Sequence, residues 1–344
     1  MIGKAVGYTQ GQRMNDIKRI LSIDGGGIKG VIPAAFLAAI EESTGKRIVD
    51  HFDLIAGTST GGIIALGLGL GMSAAEILEF YESEGPHIFS QENTKVKQTL
   101  YGRLVSKYRR GARNARRVVV PKYNPEALKV ALENAFKDRR LGDSATRLVI
   151  PAFDCNRREV HIFKTSHHER LVTDWKTDAV SVALATAAAP TYLPGQTMDN
   201  GVTLLDGGIW ANNPVGLAAV EAVGMLRWAP DRLRILSLGC SEEAITIPDN
   251  AGMLGFALKM ADIFMLGQSR GAFGTAKLLT GHTEADPRVF RYQYIAPMGK
   301  FMLDGAKDIP RLKGIGANMA REASPLISGI FLSQARVPFE PCHR

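Results

Sequence analysis

FDLIAGTSTGGIIAL, residues 52–66, begins with the pattern of a strand and ends with that of a helix. Phe52 to Gly57 is a short apolar run, and Thr60 to Gly71 has the small-residue composition of a tightly packed helix. Between them, Gly57-Thr58-Ser59-Thr60-Gly61 matches Gly-x-Ser-x-Gly. A sharp strand-to-helix turn lifts a serine oxygen above the sheet edge, and flanking glycines avoid side-chain clashes there. The following helix aims its positive N-terminal end at charge developing beside the serine. Out of context the pentapeptide also fits a glycine-lined packing turn, so its placement carries the meaning. The stretch lies within Leu54 to Ala75, which is uncharged and long enough to suggest a membrane span. Its six glycines and the run Thr58-Ser59-Thr60 predict a buried strand, a tight turn and a buried helix instead.

Working outward, strands and helices alternate. Lys18 to Asp24 reads as a strand, Gly30 to Ser43 as a helix, and Ser73-Ala74-Ala75-Glu76 as a capping box before another. Asn124-Pro125 and Asn213-Pro214 mark helix starts, with Asn as cap and Pro at the first position. Arg147 to Phe153, Glu159 to Lys164, Val202 to Leu205 and Leu233 to Leu238 read as strands, and Asp178 to Ala189 as a small-residue helix. The predicted class is α/β: a mostly parallel central sheet with helices on both faces. Leu254, Leu258, Ala261 and Met265 share one face of a later helix, expected to be core. No Pro/Ser/Gly-rich linker splits the chain, which favours one continuous domain.

The 344 residues are 45% hydrophobic and 22% charged, ample for a core and unlike a disordered chain. Three widely spaced cysteines, Cys155, Cys240 and Cys342, exclude a disulfide scaffold and suit a reducing compartment. No Cys-x-x-Cys or His-rich cluster predicts a metal, and residues 1–18 carry no secretory signal. The net charge is +8. Lys95 to Lys122 holds ten Lys or Arg and no Asp or Glu, so the remainder sums to −2. Such a segment attracts anionic lipid, nucleic acid or a nucleotide, or is a solvated surface. No nucleic-acid motif accompanies it, and DNA is not an expected partner.

Two further motifs sit at strand ends. Asp24-Gly25-Gly26-Gly27-Ile28-Lys29-Gly30 exposes backbone N–H groups able to cradle a phosphate or the oxyanion of an acyl-transfer intermediate, with Lys29 adding positive charge. The same loop fits Gly-x-Gly-x-x-Gly, with Asp50 twenty residues beyond Gly30, as in a dinucleotide site. Asp206-Gly207-Gly208 ends an apolar strand, where an Asp can project into the crevice in which open α/β sheets bind ligands; alone the tripeptide also reads as a turn. A Ser-Asp-His triad in hydrolase order would need His282 or His343 as its base.

DGGGIKG, GTSTG and DGG, in this order, resemble the patatin-like phospholipase family, and ATAAAPTYLP and LLDGGIWANNP add to the likeness. It covers roughly Arg19 to Cys240, with Lys29 where many members have Arg. The resemblance implies a three-layer α/β/α core over 19–240 with a basic insertion at about 95–122. Residues 241–344 would be a helical extension packed on the same domain. It implies a dyad without histidine: Ser59 as nucleophile, Asp206 as general base, and the amides of Gly25, Gly26 and Gly27 as oxyanion hole, with electrostatic support from Lys29. It implies a lipid acyl hydrolase of membrane phospholipids that requires no cofactor for its chemistry. GLGLGMSAAEILEFYESEGPHIF, IPAFD and VHIFKTSHHERL are similar to bacterial patatin-like effectors of anti-phage defence. Those are phospholipases switched on by a cyclic oligonucleotide second messenger that degrade the host's own membrane, so the likeness implies a cyclic di- or trinucleotide ligand and a cytoplasmic protein peripheral to the inner membrane face when active, with an oligomer left open. An unregulated esterase and a catalytically silent protein of the same fold stay open as alternatives.

Overall fold

The computed structural model describes residues 17–89, 121–243, 260–297 and 300–344. Among the described residues eight strands form one sheet: β1 (Lys18–Ile23), β2 (Leu54–Gly57), β3 (Arg147–Asp154), β4 (Glu159–Lys164), β5 (Gln196–Thr197), β6 (Thr203–Asp206), β7 (Leu233–Glu243) and β8 (Val289–Ala296). Their order is β5-β6-β3-β2-β1-β7-β8, with β4 on β3. The pairs β1–β2, β1–β7, β2–β3 and β7–β8 are parallel, while β4, β5 and β6 add antiparallel pairings. The class is the predicted one, α/β with a mostly parallel sheet.

The helices are α1 (Val31–Thr44), α2 (Thr60–Gly69), α3 (Ala74–Ile88), α4 (Glu126–Phe136), α5 (Ala179–Thr186), α6 (Gly208–Ala211), α7 (Val215–Val220), α8 (Met260–Thr280) and α9 (Ile309–Ile330). Alternate strand residues feed two cores. Leu21, Ile23, Ile55, Leu148 and Leu236 join Ile32, Leu66, Leu132, Val182 and Leu312 on the face covered by α1–α5 and α9. Ile20, Leu54, Ala56, Val149 and Ile235 join Val215, Ala218 and Ala276 under α7 and α8. The central strands are apolar at successive positions because both faces are buried.

One feature of the sheet places the site. Val149 pairs with Ala56 of β2 on one side and Lys164 of β4 on the other. Ala152 pairs with Asp206 of β6 and with His161 of β4. β2 and β6 therefore share one edge of β3 and meet head to head. Three residues of extended chain between their last registered partners bring the two strand ends within roughly 10 Å.

Several local expectations shift by a residue. Pro125 and Pro214 occupy the cap position itself, with Asn124 and Asn213 one residue earlier accepting from the Glu126 and Val215 N–H groups at 3.2 and 3.1 Å. The Ser73 capping box forms as predicted: its hydroxyl accepts from Glu76 N–H at 3.1 Å, and the Glu76 carboxylate accepts from Ser73 N–H at 2.7 Å. Residues beyond 241 are not purely helical, because β8 completes the sheet beside β7. Its Arg291 and Gln293 interrupt the apolar run, which hides an edge strand from a hydropathy pattern. Leu254, Leu258 and all of the basic window before Pro121 lie outside the described residues. Met265 is not core: with Phe264 it is exposed at the mouth of a cavity. Among the described residues no helix is long and apolar enough to cross a membrane.

Candidate active site

β2 ends at Gly57 and α2 begins at Thr60, so the chain reverses within two residues. Ser59 takes the strain of that turn, with φ 54° and ψ −121°, a region non-glycine residues rarely occupy. Gly61 must lack a side chain because a Cβ there would collide with the Ile23 carbonyl at the end of β1. The Ser59 N–H donates to Oγ1 of Thr186 at 3.0 Å, and the Thr186 hydroxyl donates to the Pro151 carbonyl at 2.7 Å. Thr58 donates to the Ala211 carbonyl at 2.5 Å. The elbow is thus tied to β3, α5 and α6 at once.

Asp206 stands at the end of β6, its own N–H bonded to the Ala188 carbonyl at 3.0 Å. Its Oδ1 accepts from the Gly208 N–H at 2.6 Å, and the Ser59 hydroxyl lies near enough to its carboxylate to act on its charge. Burial pushes its pKa up to about 6, against the opposing pull of the Gly208 N–H and the neighbouring Ser59 hydroxyl. A carboxylate with that pKa is a stronger base than an exposed aspartate and is still mostly ionised at neutral pH.

The glycine loop lies alongside, with Gly25 directly against Ser59: a Cβ on Gly25 would approach that of Ser59 to 3.3 Å. The three glycines are not equivalent. The Gly25 N–H donates to the Asn212 carbonyl at 2.9 Å, so its amide is already occupied and the expected three-donor cradle narrows to Gly26 and Gly27. Among the described residues neither of those amides donates to a backbone carbonyl. Lys29 is largely buried, and its ammonium donates to the Ser241 carbonyl at 3.4 Å.

All six predicted site residues, Gly25, Gly26, Gly27, Lys29, Ser59 and Asp206, line one cavity of about 970 Å³. Its walls are mainly apolar: Ile63, Phe80, Ile88, Phe89 and Leu128 on one side, and Ile209, Phe264 and Met265 at the rim. No histidine is among its lining residues. His282 Nδ1 accepts from the Arg288 and Val289 N–H groups at 3.0 Å, and His343 Nε2 meets the Glu169 carbonyl at 2.7 Å, so the triad alternative has no base at the serine. The dinucleotide alternative also loses ground: the Ile28 N–H in the loop is taken by the Leu303 carbonyl at 2.8 Å. Among the described residues no group of His, Cys, Asp and Glu is arranged to hold a metal. Sequence reasoning gave no role to Thr186, although ATAAAPTYLP had been singled out, nor to Asn212 and Gln268 on the cavity wall.

Fold and site together define an α/β protein with a strained serine, a buried carboxylate and a glycine loop opening into an apolar cavity. The family model "Patatin-like phospholipase" matches residues 21–219, and the chain belongs to that family. It is similar to a "cGAMP-activated phospholipase" of Pseudomonas aeruginosa, 34% identical over 235 residues that cover 68% of this chain and 66% of that protein. It is also similar to "Patatin-like protein 2" of Oryza sativa subsp. indica, 37% identical over 229 residues, 59% of this chain and 52% of the relative. The chain thus spans about half to two thirds of the length of these relatives. Among solved structures, VipD from Legionella pneumophila aligns with a TM-score of 0.46 at 13% identity, over 90% of this chain and 67% of that one.

Proposed function

We propose that the chain is a lipid acyl hydrolase that cleaves fatty-acyl esters of membrane phospholipids through Ser59 and Asp206. The observation that carries this reading is that a strained Ser59 and the buried carboxylate of Asp206 line the same apolar cavity of about 970 Å³. Ser59 Oγ attacks the ester carbonyl as its proton passes to Asp206. The resulting oxyanion is received by the Gly26 and Gly27 amides and the positive end of α2. Collapse breaks the ester C–O bond, and the leaving alkoxide takes the proton from Asp206. Water, deprotonated by Asp206, then attacks the acyl-enzyme; the fatty acid departs and the proton returns to Ser59. The water-poor cavity strengthens each of these charge interactions. This chemistry draws on no metal or cofactor.

Regulation by a cyclic nucleotide is part of the same reading, supported by the name of the Pseudomonas relative and by the basic window ending at Lys122. In this reading the protein works at the cytoplasmic face of a membrane. The test is fatty-acid release from phospholipid vesicles by wild type and Ser59→Ala, with and without a panel of cyclic di- and trinucleotides. Release that needs a nucleotide and is lost in Ser59→Ala supports the whole reading. Release unaffected by the panel leaves an unregulated hydrolase, and release retained by Ser59→Ala overturns the mechanism.

A further inference from the structure

A loop of three glycines has no side chains with which to hold itself in place. Its shape must come from what grips its ends and presses on its backbone. Apart from Asn212, whose carbonyl takes the Gly25 N–H at 2.9 Å, these grips come from the last third of the chain, beyond the stretch that matches the family model. The Asp24 N–H donates to the Leu238 carbonyl at 3.0 Å, and the Ile28 N–H to the Leu303 carbonyl at 2.8 Å. Gly27, at φ 56°, has the Leu303 carbonyl where a Cβ would stand. Gly26 lies against the Cys240 side chain.

The most directional of these contacts is a fork. On β8, Arg291 Nη1 donates to Asp24 Oδ1 at 2.8 Å, and Nη2 donates to Asp24 Oδ2 at 2.6 Å. The guanidinium is fixed in turn by the Ser237 hydroxyl at 2.8 Å and by Gln293 Oε1 at 2.5 Å. Both side chains are largely buried, with accessibilities of 14% and 7%. Gln293 reaches its place because Gly239, beside a bulge between β7 and β8, has no side chain to exclude it. A two-point grip sets the plane of the Asp24 carboxylate as well as its position, which a single ammonium cannot do. Asp24 is covalently next to the first glycine, so a tilt of its carboxylate rotates the peptides that follow.

We propose that Arg291 is a positioning residue for the reaction: through its fork on Asp24 it holds the Gly26 and Gly27 amides in the orientation that receives the oxyanion beside Ser59. This rests on the hydrolase reading above. It assigns a function to β8 and explains why a strand outside the family-matched region carries a charged residue inward.

The test compares the full chain as wild type, Arg291→Lys, Asp24→Asn/Arg291→Met, Ser237→Ala and Ser59→Ala on a soluble fatty-acyl ester. It reads kcat, KM and the thermal midpoint, together with the rate of labelling by an alkyl fluorophosphonate. The double variant removes both charges, so no ion is left buried and unpaired. Ser237→Ala keeps both charges and loosens only one bond to the guanidinium. Loss of an oxyanion donor typically costs about 10²–10³ in rate, so a misaligned pair of donors is expected to cost kcat about tenfold in Arg291→Lys and about a hundredfold in the double variant. Ser237→Ala is expected to lose a smaller factor, about threefold, on the same scale. KM should stay within about twofold throughout, because the ground-state ester does not yet use the donors, and labelling should slow in parallel with kcat. Wild-type kcat in every variant that folds, Ser237→Ala included, overturns the proposal, as does a loss confined to KM. Undiminished hydrolysis by Ser59→Ala would instead sink the hydrolase reading on which it rests.

Discussion

The Ser59 amide and the Thr186 hydroxyl are bonded at 3.0 Å, and the same hydroxyl donates to the Pro151 carbonyl at 2.7 Å. One buried oxygen therefore ties the strained serine backbone to β3, the strand that also carries Asp206 through its pairing with Ala152. Thr186→Val keeps the shape but leaves a buried N–H and a buried carbonyl without partners, at about 1–3 kcal/mol each. The expected outcome is a lower thermal midpoint and a kcat reduced by about tenfold or more, since an activation cost of 1.4 kcal/mol already gives that factor. Thr186→Ser, which retains the hydroxyl, should recover most of both. Melting curves and steady-state kinetics on the two variants check this.

The pH dependence follows from Asp206. In the proposed mechanism its carboxyl acts as a base only when ionised, and burial places its pKa at about 6. The kcat/KM profile should therefore rise with pH through an inflection near that value and level off above it. A limb with its midpoint near the ordinary aspartate value of 3.8 would contradict the buried geometry.

The same shift costs stability. A carboxyl whose pKa rises on folding from 3.8 to about 6 binds its proton more tightly in the native state. The native state is thus favoured by this group below pH 3.8; that advantage fades as pH rises and is gone above about 6. Relative to a group that never ionises, the ionised Asp206 costs up to about 3 kcal/mol. Asp206→Asn should accordingly gain in stability over wild type on going from pH 4 to pH 8, as read by denaturant titration at the two pH values. An unchanged difference between the two proteins would show that the carboxylate is not held against its preference.

At the cavity rim, Ile209 is 48% and Phe264 64% exposed although both line the cavity that holds the serine. Large apolar groups at the mouth of an apolar chamber suit entry from a lipid phase. Ile209→Ser/Phe264→Ser should reduce vesicle hydrolysis by on the order of tenfold, the equivalent of one large side chain's transfer free energy, while leaving turnover of a soluble short-chain ester unchanged. Equal losses on both substrates would show that the rim serves the fold and not the membrane.

The serine turn was legible because its constraints are local. Gly57 is excluded from bearing a side chain by the Gly61 carbonyl four residues on, so the turn writes itself into the sequence as a glycine. The parallel strands were legible from continuous apolar runs, which two-sided burial demands. What escaped depends on contacts between distant segments. Gly25 reads like its two neighbours until Asn212 is seen to take its amide. Thr186 is one small polar residue in an alanine-rich helix, and its partner Ser59 lies 127 positions away. β8 alternates apolar residues with Arg291, which bonds Asp24 and Ser237 on other segments, and Gln293, which braces Arg291, so neither its strand character nor its bearing on the glycine loop is readable from its own residues.

The most direct test of the dyad is the hydrolysis rate of Ser59→Ala and Asp206→Asn against wild type on phospholipid vesicles, each variant shown to be folded by its melting curve. Loss of either member of a unit that acts together typically costs about 10⁴–10⁶ in rate, and that is the expected outcome for both, with the double variant no worse than either single one. Fatty-acid release by folded Asp206→Asn within tenfold of wild type would contradict the assignment of that carboxylate as the base for Ser59.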